Sequence, residues 1–130
     1  MRHRAAFRSE RGQSITEFAL VLPLIVLLLF GVIQFGITFN NYVTLTDAVR
    51  AGARKGAVSR HVDNPEGVTE AQVRAAATDL KGSDLQVEVS STWNAGDEVR
   101  VSASYPFAIK ALGVTIKSGR MHSTTTERVE

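Results

Sequence analysis

The sequence predicts an α+β fold: a long N-terminal transmembrane helix, a short second helix and a small antiparallel β-sheet of about three strands. Three patterns predict it. Residues 18–46 carry no charge and open with an unbroken apolar run, FALVLPLIVLLLFGVI (Phe18–Ile33). Between residues 69 and 80 apolar side chains recur at helical spacing, and between 85 and 105 they alternate.

The long helix comes first. Phe18–Phe39, with Gln34–Phe39 (QFGITF) added to the apolar run, would rise about 33 Å, enough to cross a hydrocarbon core of about 30 Å. A buried core helix is disfavoured, because no other part of the chain is large enough to bury it. An ordinary secretory signal is disfavoured too, since the run exceeds an h-region and no small-x-small cleavage site follows within reach. An unprocessed signal-anchor stays open. Arg2, Arg4, Arg8 and Arg11 lie just before the segment, and the next basic residue is Arg50. The positive-inside rule then places the N-terminus in the cytoplasm and the C-terminal part outside.

Pro23 lies inside the apolar run. It has no N–H to offer the carbonyl of Ala19 and its ring crowds that carbonyl, so a kink is expected there. Glu17 stands at the front edge, where a carboxylate must face water or find a partner. The helix is expected to continue beyond the membrane through residues 40–60, which contain no proline. Gly52 and Gly56 form a G-x-x-x-G groove on this part, suited to close helix packing. Two occupants fit it: the chain's own outer domain or a neighbouring helix.

Residues 61–68 (HVDNPEGV) read as a loop. The second helix is expected to start at Thr69, with Thr69 and Gln72 as a capping box and Val68 and Val73 as a hydrophobic staple. Val73, Ala76, Ala77 and Leu80 make its apolar face, and Gly82 would close it. Leu85, Val87, Val89 and Trp93 alternate with polar residues as a first strand, and Val99, Val101, Ala103 and Tyr105 as a second. Asn94–Glu98 is the expected hairpin loop and Pro106 the expected end of the second strand. A third strand is expected over 119–128 at the sheet edge. Val114–Lys117 either precedes it or pairs with it through Ser118-Gly119.

Composition narrows the function. The chain has no cysteine, hence no disulfide framework and no thiolate metal site. The formal net charge of +2 owes everything to the leader, which holds four arginines against one acid, Glu10. No basic patch with interleaved aromatics argues for nucleic acid. His3, His61 and His122 have no second ligand at metal-binding spacing, and no nucleophile-elbow or phosphate-loop motif is present. No catalytic residue, cofactor, metal or small-molecule substrate is therefore expected, and the chain is not read as an enzyme. Trp93 is expected in the core.

One constellation is more specific. A basic leader ends at Gly12, Glu17 is the fifth residue after it, and the apolar helix with Pro23 follows. This resembles the class III signal of type IV prepilins. RGQSITEFALVLPLIVLLLFGVIQFG looks like the TadE-like pseudopilins of tight-adherence (Tad, Flp-type) pili, and AVRAGARKGAV (Ala48–Val58) resembles the small-residue segment that continues the helix in that family. The resemblance is specific over residues 11–58 and looser beyond.

The resemblance implies cutting between Gly12 and Gln13 by a prepilin peptidase, a pilin-like helix, and partnership with the membrane lipid, other pilin or pseudopilin subunits and the Tad assembly platform. It also implies residence in the cytoplasmic membrane and, after assembly, in the extracellular pilus, with a role in adhesion. The new α-amine on Gln13 would be largely protonated at neutral pH. Glu17, from the same or a neighbouring subunit, would neutralise it and set filament register. Gln13 departs from the phenylalanine or methionine common at that position, which leaves N-methylation of the new end open. Removing twelve residues of 130 leaves a chain far longer than the major Flp pilins, which points to a minor or accessory subunit. The expected organisation is a leader over 1–12, a membrane and stalk helix over 13–60 and an extracytoplasmic head over 61–130. The main alternative is an uncleaved single-pass scaffold of a secretion or envelope complex.

Overall fold

The computed structural model describes the backbone of residues 6–130 and the side chains of residues 12–130. Arg2, His3 and Arg4, and the side chains of Arg8, Glu10 and Arg11, lie outside the described residues, and with them the four arginines on which the orientation argument rests. Two helices and three strands follow in order: α1 (Ala6–Ala57), α2 (Pro65–Ala76), β1 (Gln86–Ser90), β2 (Glu98–Ala111) and β3 (Val114–Arg128). The strands form one antiparallel sheet in the order β1-β2-β3. This is the α+β arrangement that the periodicities predict.

α1 is one unbroken helix, and it runs through Pro23 without interruption. Its two parts live in different surroundings. From Phe18 to Phe39 no side chain is buried, and Leu20, Leu24 and Phe35 are among the most exposed apolar groups of the chain. From Leu45 onward one stripe is fully covered: Leu45, Ala48, Val49 and Ala53. The spacing of that stripe is that of a single helix face.

The head packs on this stripe. Its core joins Val73, Ala77 and Leu80 with Leu85, Val99, Val101, Ala103, Tyr105, Met121 and Val129. The odd-numbered residues of β2 from Val99 to Tyr105 face the helices, whereas the opposite sheet face carries polar residues such as Glu88, Arg100, His122 and Thr124. Val129 is buried, and the Glu130 amide donates to the carbonyl of Ala57 at 2.9 Å. That bond ties the end of α1 to the far end of the chain and satisfies one of its orphan carbonyls.

Several expectations are corrected. α2 begins at Pro65, not Thr69: Asn64 is the N-cap, its side chain accepting from the Gly67 amide at 2.9 Å, with Pro65 in the first turn. Thr69 is buried within the helix, and its hydroxyl donates to the Pro65 carbonyl at 2.7 Å, so no Thr69–Gln72 capping box starts α2. The helix ends at Ala76 with Ala77 as C-cap, so Gly82 does not close it.

Pro106 does not end β2, which runs on to Ala111. β1 pairs with β2 only as far as Ser104, so Pro106 sits where β2 has a free edge, a place where a strand tolerates the missing N–H. β3 is one strand from Val114, not a pair of segments folded at Ser118-Gly119. The real turn is Leu112-Gly113, where both residues have positive φ (50° and 84°), as a type I′ hairpin requires. Trp93 is outside β1, also at positive φ (57°), and packs partly buried against the core.

Candidate functional site

The chemistry-bearing residues fall at two places about 60 Å apart along α1, at 1.5 Å of rise per residue. The first is the front edge. Gln13 and Glu17 are one helical turn apart, hence on one face. The Gln13 side-chain amide donates to Glu17 Oε1 at 3.0 Å, and the Thr16 hydroxyl donates to the Gly12 carbonyl at 2.9 Å. Both contacts are exposed. Among the described residues, a Cβ added to Gly12 would meet nothing within 4 Å. Glu17 is the sole charged residue between Gly12 and Asp47.

The second place is the groove at Gly52 and Gly56. Here the partner is the chain's own head. A Cβ on Gly52 would overlap Val73 Cγ2 and lie 3.4 Å from the Thr69 carbonyl oxygen. A Cβ on Gly56 would come to 2.9 Å from Thr69 Oγ1 and 3.1 Å from Val99 Cγ2. Glycine lets α2 and β2 approach the backbone of α1. Gly12, Gln13, Glu17 and Pro23 are not brought near the head.

Pattern reading missed two contacts that fix the head. Tyr105 Oη accepts from the Lys81 amide at 3.2 Å, which ties β2 to the segment following α2. Arg120 spans three groups: Nε donates to Ser104 Oγ at 3.2 Å, and Nη2 donates to the carbonyls of Asp84 (3.0 Å) and Ser104 (3.2 Å). No local pattern marks either pair, because they join residues 16 or more positions apart. Nearby, the Asp97 carboxyl is held below its usual range, chiefly by the hydrogen bond from Thr92 and then by Asn94. The Asp97 main chain also pairs with Val129, so this loop anchors the end of the chain.

Among the described residues no group of three or more His, Cys, Asp or Glu side chains could hold a metal ion. His61 accepts from Arg60 Nε at 2.9 Å and His122 lies on the exposed sheet face.

The helix spanning 12–57 is long and apolar enough to cross a membrane, and none of its most apolar window is buried. Leaving that many Leu, Ile, Val and Phe side chains in water would cost on the order of tens of kcal/mol, at about 1.5–3 kcal/mol each. The apolar span is therefore not buried by this chain's own head, which covers only the stripe from Leu45 onward.

Comparison with known families gives one result: residues 12–54 match the model of the family described as TadE-like protein. The match begins at Gly12 and ends within the groove segment, so it covers the helix and leaves the head outside. Over these residues the helical part of the chain is similar to that family. No curated protein and no solved structure matches the chain.

Proposed function

We propose that this TadE-like chain is a pilin-like structural subunit, a minor pilin or pseudopilin, of a Tad-type type IV pilus. The family it resembles is structural rather than enzymatic. The observation that carries the reading is the Gly12–Glu17 spacing at the head of an unburied apolar helix, with the family match starting at that same glycine.

The chain sits in the cytoplasmic membrane by one span, N-terminus inside and head outside. A prepilin peptidase cuts between Gly12 and Gln13. The peptide bond lies in a helical turn, and glycine makes that turn about 1 kcal/mol easier to open than alanine would. The cut leaves a protonated amine on Gln13, and Glu17 lies one turn away on the same face. Before the cut its carboxylate is held by the Gln13 side chain; afterwards it pairs with an amine of its own or a neighbouring subunit. An unpaired charge among packed apolar helices would be costly, so the pair fixes axial register. Pro23 supplies a weak point near the same end, because Ala19 lacks the usual donor. The processed subunit joins other pilin or pseudopilin subunits through the Tad assembly platform and serves pilus assembly and adhesion.

The test is Glu17→Gln in the native system. We expect normal cutting after Gly12 but a loss of about tenfold or more in recovery with the pilus machinery, the ratio that 1.4 kcal/mol of lost pairing gives. Unchanged incorporation would contradict the role of Glu17.

A further inference from the structure

The β2–β3 hairpin continues past the head toward the membrane-spanning part of α1. Its direction follows from three levels of contact. Val99 lies beside Gly56. α2 runs from Thr69 beside Gly56 to Val73 beside Gly52, so its C-terminal end points down α1 toward the span. Tyr105 then bonds to Lys81, beyond that end. β2 thus descends α1 from Gly56, and six further residues follow Tyr105 before the turn.

The twelve residue-to-residue steps from Val99 to Ala111 cover about 40 Å at about 3.3 Å each. Inclined by as much as about 60° to α1, the strand would still drop about 20 Å below Gly56, about thirteen helical residues, to the level of Val43 beside Tyr42. Tyr42 is exposed and lies three residues past Phe39, the end of the apolar span, where amphipathic rings mark a membrane interface.

The tip has the composition that such a place selects. Leu112, Val114 and Ile116 are 81%, 67% and 68% exposed. Residues 107–120 (FAIKALGVTIKSGR) contain Lys110, Lys117 and Arg120 and no acid. A cleft at the hairpin's base gathers Lys81, Lys110 and Arg120, with Asp84 the one acid lining it. On α1 the head-facing stripe also continues below Leu45 as partly buried Asn41, Thr38 and Gln34, between exposed neighbours.

We propose that the tip of the β2–β3 hairpin is a second membrane contact, inserting Leu112, Val114 and Ile116 into the lipid interface beside α1 while Lys110 and Lys117 hold anionic lipid headgroups. The apolar side chains leave water and the lysines reach the phosphates. Two points of contact also fix the azimuth of the head above the bilayer, which one helix alone leaves free. The proposal rests on α1 spanning the membrane, and its test separates the two.

The chain has no cysteine, so single labels are clean. Leu112→Cys, Ile116→Cys, Val26→Cys and Thr126→Cys chains, each carrying an environment-sensitive fluorophore, are reconstituted at full length into phosphatidylcholine–phosphatidylglycerol vesicles. Nitroxide lipids are placed shallow or deep. We expect blue-shifted emission and shallow quenching at 112 and 116, deep quenching at 26 and neither at 126. Lys110→Glu/Lys117→Glu should lower quenching at 112 and leave 26 unchanged. Quenching at 26 with 112 and 116 behaving like 126 overturns the proposal and spares the span. No quenching at 26 overturns both. A blue shift at 112 without lipid quenching means a second copy covers the tip, which also overturns it. Full quenching at 112 in phosphatidylcholine alone overturns the headgroup contact.

Discussion

Gly52 brings the head closest to its helix. Alanine there would recover about 1 kcal/mol of helix propensity. Its methyl group would meet Val73, which is fully buried and stiff at χ1, so the overlap cannot be relieved by rotation. Overpacking of this kind costs about 1–3 kcal/mol. We expect Gly52→Ala to be destabilising on balance, lowering the melting temperature of the head by about 5 °C, as about 1 kcal/mol does for a domain of this size. Gly31→Ala, with open space around it, should not lower it. Melting followed by the near-ultraviolet signal of Trp93 checks this, and an unchanged Gly52→Ala midpoint would contradict the packing account. The glycine pair was legible in the sequence as a groove, because small residues four apart on a helix have few other uses. Which partner fills the groove was not legible, since Val73, Thr69 and Val99 are remote in sequence.

At the scale of elements, local signals were read well where one signal stood alone and poorly where two competed. The apolar span of α1 needs only its hydropathy. α2 offered two starts, Asn64-Pro65 and Thr69-x-x-Gln72, and the first prevails because Asn64 caps the Gly67 amide while Thr69 is used as packing. Replacing Asn64 by alanine should cost about 1 kcal/mol of stability and Asn64→Asp almost nothing, as measured by chemical unfolding. An equal loss in both variants would mean that the side chain does not cap. The long hairpin was hidden for two reasons. Leu112-Gly113 lacks the Asn-Gly or Asp-Gly signature of a type I′ turn, and Pro106 reads as a stop unless the free edge beside it is known.

In the whole molecule, a helix exposed over its apolar span carries a head gathered on its last turns. α2, the sheet and the Val129–Glu130 segment all converge on residues 45–57 of α1. The head is therefore joined to the helix by packed contacts and not by a linker. The Gly12–Glu17 spacing was fully legible, being local, and the family match over 12–54 supports the resemblance drawn from it. The arrangement of the head was legible only as α+β, because its long-range pairs leave no local trace. The central claim is a cut after Gly12. The most direct measurement is the N-terminal sequence of the protein taken from its native membrane. The account predicts a start at Gln13-Ser14-Ile15 and an uncut chain for Gly12→Asp. A native start at Met1, or normal processing of Gly12→Asp, would contradict it.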